Sequence, residues 1–302
     1  MLKGILIMEA SIYLIKYRSV KILKLIFTIN AIVLICFQNS AQEVKIFGHR
    51  GCRGLLPENS IISFKKAIEL GVNGIEWDVV VNKDHELIIS HEPYIDFSYC
   101  KKIDTNNNPS NNLNIYEMTT DEIRLYDCGN IFNKEFPDQK LKSFTKPTVK
   151  EALNDLKEHN PVILFEIKSS EKNYGIYQPY PKKYAEIILN ELKEYEYLEN
   201  IIFMSFDYEM LNSLNKIMPD QKYIYLEYNP LNSFEKCLSF LNFKPYALGL
   251  YYPMINKETI KISHNDGIHI YAWTVNELKT GNELKKIGID GLITDYPNLF
   301  IK

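Results

Sequence analysis

Short apolar runs alternate with amphipathic stretches along this chain from residue 44 almost to its end. VKIF (44–47), GIEWDVVV (74–81), LIIS (87–90), PVILFEIK (161–168), NIIFMSF (200–206), KYIYLEY (222–228), YALGLYY (246–252), IHIYAWTV (268–275) and GLITD (291–295) read as strands. Between them SIISFKKAIEL, TVKEALNDLKE, KKYAEIILNELKEY and NELKTGNELKKIG place apolar residues at helical spacing. Many of the strands are unbroken Val, Ile and Leu runs, as expected where helices cover a parallel sheet. The alternation predicts an α/β fold, and its length is best met by a (β/α)8 TIM barrel.

Nine strands are one too many for that barrel. The link VNKDHEL between the second and third is too short for a parallel crossover and can only make an antiparallel hairpin. With Asp84-His85 as a two-residue turn, His91 lies opposite Asp78. Residues 93–146 carry DTNNNPSNN and two cysteines and far exceed an ordinary loop. They predict a small lobe inserted after the hairpin, with EMTTDEIRLYD as a helix capped by Thr119 or Thr120.

The first forty residues follow another pattern. Lys16, Arg18, Lys21 and Lys24 precede a mostly apolar run at 25–37, then QNSAQE. That order describes a secretory signal peptide ending near Ala41, or an uncleaved membrane anchor if the lysine-bearing stretch is included. The barrel domain then occupies 42–302, and a secreted or periplasmic location follows. The whole chain of 302 residues has a formal net charge of −3 and no basic block in its body, which argues against a nucleic-acid partner. Cys52, Cys100, Cys128 and Cys237 remain in the domain. They allow three pairings, and we read them as buried free thiols.

Glu76 and Asp78 are two apart on a strand, so both side chains face the same way while Trp77 faces the helices. Two interior carboxylates repel each other, and a hard divalent cation such as Mg2+ or Ca2+ is the economical remedy. Glu166 and Lys168 repeat the arrangement. His49 follows VKIFG and His91 follows LIIS, at strand ends where barrel enzymes assemble their sites. Gly51 and Gly54 in the turn after His49 would let the backbone pass close to a ligand.

The segment HRGCRGLLPENSIISFKKAIELGVNGIEWDVVVNKDHELIISHE (49–92) resembles the glycerophosphodiester phosphodiesterase family: HRG, then PENT and a helix, ExD, a K-D-G turn and a closing His-Asp. FEIK, SF (205–206), YAWTVN and GIDGLITDYP match later family segments in order, so the resemblance spans nearly all of 44–300. It implies a general acid–base pair in His49 and His91, metal ligands in Glu76, Asp78 and Glu166, and phosphate-holding cations in Arg50 and Lys168. Trp273 would form an apolar wall for the glycerol moiety or simply pack the barrel. The implied reaction is metal-dependent hydrolysis of a small glycerophosphodiester to sn-glycerol 3-phosphate and an alcohol. A related barrel phospholipase acting on intact phospholipids and a non-catalytic glycerophosphate-binding barrel are the alternatives. The chain departs from the pattern at Glu92 (usually Asp), Ser60 (usually Thr) and His85 (usually the turn Gly), and no implied ligand or catalytic group is lost.

Overall fold

The computed structural model describes residues 43–104 and 111–301; the expected signal peptide or anchor at 1–41 lies outside them. In chain order the strands are β1 (Lys45–Gly48), β2 (Gly74–Val81), β3 (Leu87–Ile89), β4 (Tyr94–Ile95), β5 (Lys101–Lys102), β6 (Leu113–Asn114), β7 (Tyr126–Asp127), β8 (Val162–Ile167), β9 (Ile201–Ser205), β10 (Lys222–Glu227), β11 (Ala247–Tyr251), β12 (His269–Trp273) and β13 (Gly291–Thr294). Parallel pairing runs β1-β2-β8-β9-β10-β11-β12-β13 and returns to β1, which closes an eight-stranded barrel. The helices are α1 (Ile61–Glu69), α2 (Thr120–Ile123), α3 (Val149–Leu156), α4 (Pro181–Leu192), α5 (Tyr208–Ile217), α6 (Phe234–Ser239), α7 (Lys257–Asn265) and α8 (Leu278–Ile287). All but α2 lie in the crossovers, as a (β/α)8 barrel requires.

Local chemistry sets these boundaries. Ser60 opens α1 by accepting from Ser63 N. Thr119 and Thr148 open α2 and α3 with capping boxes closed by Glu122 and Glu151, each satisfying two otherwise orphaned N–H groups. Gly288, at φ 96, ends α8 in the left-handed conformation that glycine adopts without a Cβ clash. Strand parity is as the period of two dictates. Trp77, Phe165 and Phe203 pack outward against the helices. Phe47, Leu164, Met204, Leu226 and Tyr271 form the smaller interior core.

The hairpin is real, but its register differs from the expected one by one residue. Val79 pairs with Ile89, Val80 with Ile88 and Val81 with Leu87. Asn82 N donates to Glu86 O, so the loop is the three residues 83–85, with His85 at φ 62. Three-residue hairpin loops need a left-handed final residue, and that added residue shifts the ladder. Ser90, not His91, therefore meets Asp78, its N–H donating to Asp78 O at 2.9 Å. His91 leaves the ladder just beyond.

The insertion forms a lobe with its own core, in which Ile95, Cys100, Ile115 and Ile123 pack against Val80 and Ile88 of the hairpin. Two short antiparallel pairs, β4 with β6 and β5 with β7, frame it. Cys100 and Cys128 form a disulfide across 28 positions, while Cys52 and Cys237 are free and buried. The reading of four free thiols is thus corrected for the lobe pair. Neighbouring strands β5 and β7 bring the two cysteines side by side, which no spacing rule reveals. The lobe is tied to the barrel where Gln139 Nε2 donates to Arg53 O and Lys140 N to Leu55 O.

Candidate active site

The C-terminal ends of β1, β2, β8 and β12, with the hairpin, gather most of the expected residues around one cavity of about 200 Å3. His49, Arg50, Glu76, His91, Glu166, Lys168 and Trp273 line it. Asp78 is fully buried behind them. The turn after β1 makes this possible. Arg50 and Gly51 adopt φ 49 and 87, and Asn59, at φ 55, clasps Asp78 with two hydrogen bonds: Asn59 Nδ2 donates to Asp78 Oδ2 at 2.9 Å, and Asp78 N to Asn59 Oδ1 at 3.2 Å. Gly51 and Gly54 both sit where a side chain has no room. A Cβ on Gly51 would fall 2.5 Å from Ser63 Oγ, and one on Gly54 2.3 Å from the Tyr296 ring.

Glu76, Asp78 and Glu166 each present a carboxylate oxygen within 4.8 Å of the others. Arg50 Nε is 3.3 Å from Asp78 Oδ2, and Lys168 Nζ is 2.5 Å from Glu166 Oε1 and 3.4 Å from Asp78 Oδ1. Among the described residues no ammonium or guanidinium forms an ion pair with Glu76. Its Oε2 accepts from Arg50 N at 2.7 Å and lies 3.9 Å from His49 Nε2, while its buried Oε1 makes no hydrogen bond. Burial, reinforced by the charges of Asp78 and Glu166, pushes its carboxyl well above the ordinary range. Burial would also raise Asp78, but the charges of His91, Lys168 and Arg50 outweigh it and hold that group well below its usual value. Among the described residues two buried oxygens of the cluster, Glu76 Oε1 and Asp78 Oδ1, make no hydrogen bond, which fits a hard divalent cation, whose ligands are oxygens.

Both imidazoles are held at Nδ1 by a carboxylate at 2.6 Å, His49 by Asp295 and His91 by Glu92. A carboxylate only accepts, so each Nδ1 carries the proton and each Nε2 is the nitrogen left for chemistry. Asp295 is itself fixed by Asn276 Nδ2 at 2.7 Å and Arg53 Nε at 3.2 Å. Burial lowers the His49 pKa in spite of the Asp295 charge, which favours the neutral ring.

Sequence reasoning missed Asp295, Arg53, Glu58 and Phe206. Asp295 follows β13 as His49 follows β1, so the rule about strand ends could have found it. Glu58 accepts from Arg50 Nη1 at 2.8 Å and lies 3.4 Å from Arg53 Nη1. Phe206 stacks edge-on against Trp273, ring centres 5.2 Å apart, while Trp273 Nε1 donates to Gly249 O; the tryptophan both packs and lines the cavity. A second cavity of about 480 Å3 adjoins the first across Arg50 and Arg53, walled by lobe residues including Asp96, Tyr99 and Phe132. His264 and His269 share Asp290 where β12 and β13 begin, at the other end of the barrel.

The profile of the glycerophosphoryl diester phosphodiesterase family matches residues 49–299. A glycerophosphodiester phosphodiesterase of Caldanaerobacter subterraneus subsp. tengcongensis is 30% identical over 261 residues, 86% of this chain and 97% of its own. The crystal structure of a Silicibacter pomeroyi DSS-3 protein shares the fold at a TM-score of 0.78 and 24% identity, over 85% of this chain and 92% of its own. That of a glycerophosphodiester phosphodiesterase from Thermotoga maritima does so at 0.63 and 26%, over 85% and 97%.

Proposed function

The chain belongs to the glycerophosphoryl diester phosphodiesterase family, and from that membership we propose that it hydrolyses glycerophosphodiesters to sn-glycerol 3-phosphate and an alcohol. One observation carries the reading: two carboxylate-held imidazoles border the same cavity as Glu76 and Glu166 of the buried three-carboxylate cluster. Glu76, Asp78 and Glu166 hold a divalent cation, Ca2+ or Mg2+, which when bound offsets charge developing on the phosphoryl oxygens. Arg50 and Lys168, already oriented by Glu58, Asp78 and Glu166, add fixed positive charge beside the phosphate. One Nε2 takes a proton from the attacking water as its oxygen bonds to phosphorus, and the other protonates the alkoxide as the bond from phosphorus to the leaving oxygen breaks. Trp273 and Phe206 wall the glycerol carbons, and the second cavity receives the alcohol.

The test is release of glycerol 3-phosphate from glycerophosphocholine. EDTA should abolish it and added Ca2+ or Mg2+ restore it; no release with cation supplied would exclude the reading. A second reading, action on intact phospholipids, draws support from the lobe, which exposes Ile103, Leu125, Phe132 and Leu141. Phosphatidylcholine vesicles cleaved faster than the soluble diester would favour it.

We also infer export. The basic-then-apolar order of residues 16–37 and the Cys100–Cys128 disulfide both suit an oxidising compartment. Among the described residues no helix is long and apolar enough to cross a membrane. A protein recovered from cells with residue 42 at its N-terminus would support cleavage, and one retaining 1–41 in membranes would support the anchor.

A further inference from the structure

Glu92 stands where the family pattern usually has Asp, and its extra methylene changes what the carboxylate can reach. Oε1 meets His91 Nδ1 at 2.6 Å, while Oε2 accepts from Tyr99 Oη, in the lobe, at 2.5 Å. Lys146, at the end of the lobe, is buried, with its ammonium 3.3 Å from the same phenol oxygen and 5.1 Å from the ring centre. The lobe therefore reaches an imidazole of the barrel cavity through a continuous chain of hydrogen bonds.

Tyr99 is well placed to act as a fixed post. Its N–H and that of Cys100 donate to Asp96 O, and Asp96 Oδ1 accepts from Ser98 N, so a tight turn sets the direction of the ring. The next residue, Cys100, is fastened to Cys128 inside the lobe core. A glutamate has one more rotatable bond than an aspartate, and without a second anchor its carboxylate would sample positions that release Nδ1. The phenol supplies that anchor. Burial alone would raise the Glu92 carboxyl, but the hydrogen bonds from His91 and Tyr99 and the charges of His91 and Lys146 hold it well below its usual range, so it stays an acceptor.

We propose that Tyr99 is a positioning residue of the reaction, with the inserted lobe completing the site by holding the Glu92–His91 pair. The proposal rests on the reading of His91 as one of the two acid–base groups. It explains how this chain tolerates glutamate at a position the family usually gives to aspartate.

Tyr99→Phe keeps the ring and removes only the hydroxyl. With glycerophosphocholine and saturating Ca2+ or Mg2+, kcat should fall roughly 10–100-fold, by analogy with the loss of outer hydrogen-bond partners of metal-bound histidines, with KM changed less than about twofold. Adding Glu92→Asp to Tyr99→Phe should recover part of kcat, because the shorter side chain needs no second anchor. A Tyr99→Phe protein with wild-type kcat overturns the proposal. So does a lost kcat that comes with a matching fall in Tm and no recovery by Glu92→Asp, which marks a merely structural role. His91→Ala separates the premise from the proposal. An active His91→Ala protein removes both, whereas an inactive one beside an unimpaired Tyr99→Phe removes the proposal alone.

Discussion

Glu76→Gln tests whether the three carboxylates are arranged for a cation. Asp78 and Glu166 have ammonium or guanidinium partners, whereas Glu76 has a backbone N–H and an orphaned oxygen. At the outer separation of 4.8 Å, one pair of like charges costs about 3.5 kcal/mol at an effective dielectric constant near 20. Lys168 and Arg50 offset part of this, leaving roughly 1–3 kcal/mol for an ionised Glu76 without a cation. The sign follows from its raised pKa. The unfolded chain gives up this proton near the ordinary carboxylate pKa and the folded chain only at higher pH, so the stability it contributes is lost as pH rises between the two. The cation-free Gln protein has no such loss. In EDTA its Tm should exceed the wild type's by several degrees at pH 8, at about 2–4 °C per kcal/mol for a domain of this size, and by much less at pH 5. Adding Ca2+ or Mg2+ should raise the wild-type Tm, by about 2.7 kcal/mol of stability at a hundred times Kd, and the Gln protein's far less. Differential scanning fluorimetry reads both. A wild type as stable as Glu76→Gln in EDTA at pH 8, or equal cation shifts in the two proteins, would refute the reasoning.

Asp295→Asn should leave the fold intact and lower kcat by roughly a hundredfold or more with little change in KM, since an amide can present its N–H to His49 Nδ1 and favour the wrong tautomer; steady-state kinetics with glycerophosphocholine decide it. Burial pushes the Cys52 and Cys237 thiols up to about 11 and about 12, so the native domain 42–302 should not react with a thiol reagent at pH 8. In denaturant it should show two thiols, and four only after reduction. Replacing Cys100 and Cys128 together by serine should cost roughly 3–4 kcal/mol by the chain-entropy estimate for a loop of this length, read as a lower Tm in thermal melts.

The barrel was legible because its strands are continuous apolar runs and its interior acids obey a period of two; Glu76 and Asp78 point inward and Trp77 outward as parity requires. The hairpin register was not, because a loop of two and a loop of three residues differ only in where a left-handed residue falls, and His85 does not announce that conformation as glycine would. His49, His91 and Glu166 could be found from strand ends. Their supports could not all be found that way. Glu58 reads as part of a turn until Arg50 and Arg53 are seen to fold back on it. Tyr99 lies within an insertion whose path over the site depends on tertiary packing. The disulfide was hidden for the same reason, since β5 and β7 are two-residue strands with no pattern of their own.

The most direct test follows the phosphorus. In 31P NMR of glycerophosphocholine incubated with the 42–302 domain and Ca2+ or Mg2+, the diester resonance should give way to that of glycerol 3-phosphate, and both His49→Ala and His91→Ala should leave the diester intact. A diester resonance that persists with the wild-type domain would contradict the proposed hydrolysis, and one that disappears with either histidine variant would contradict the proposed acid–base pair.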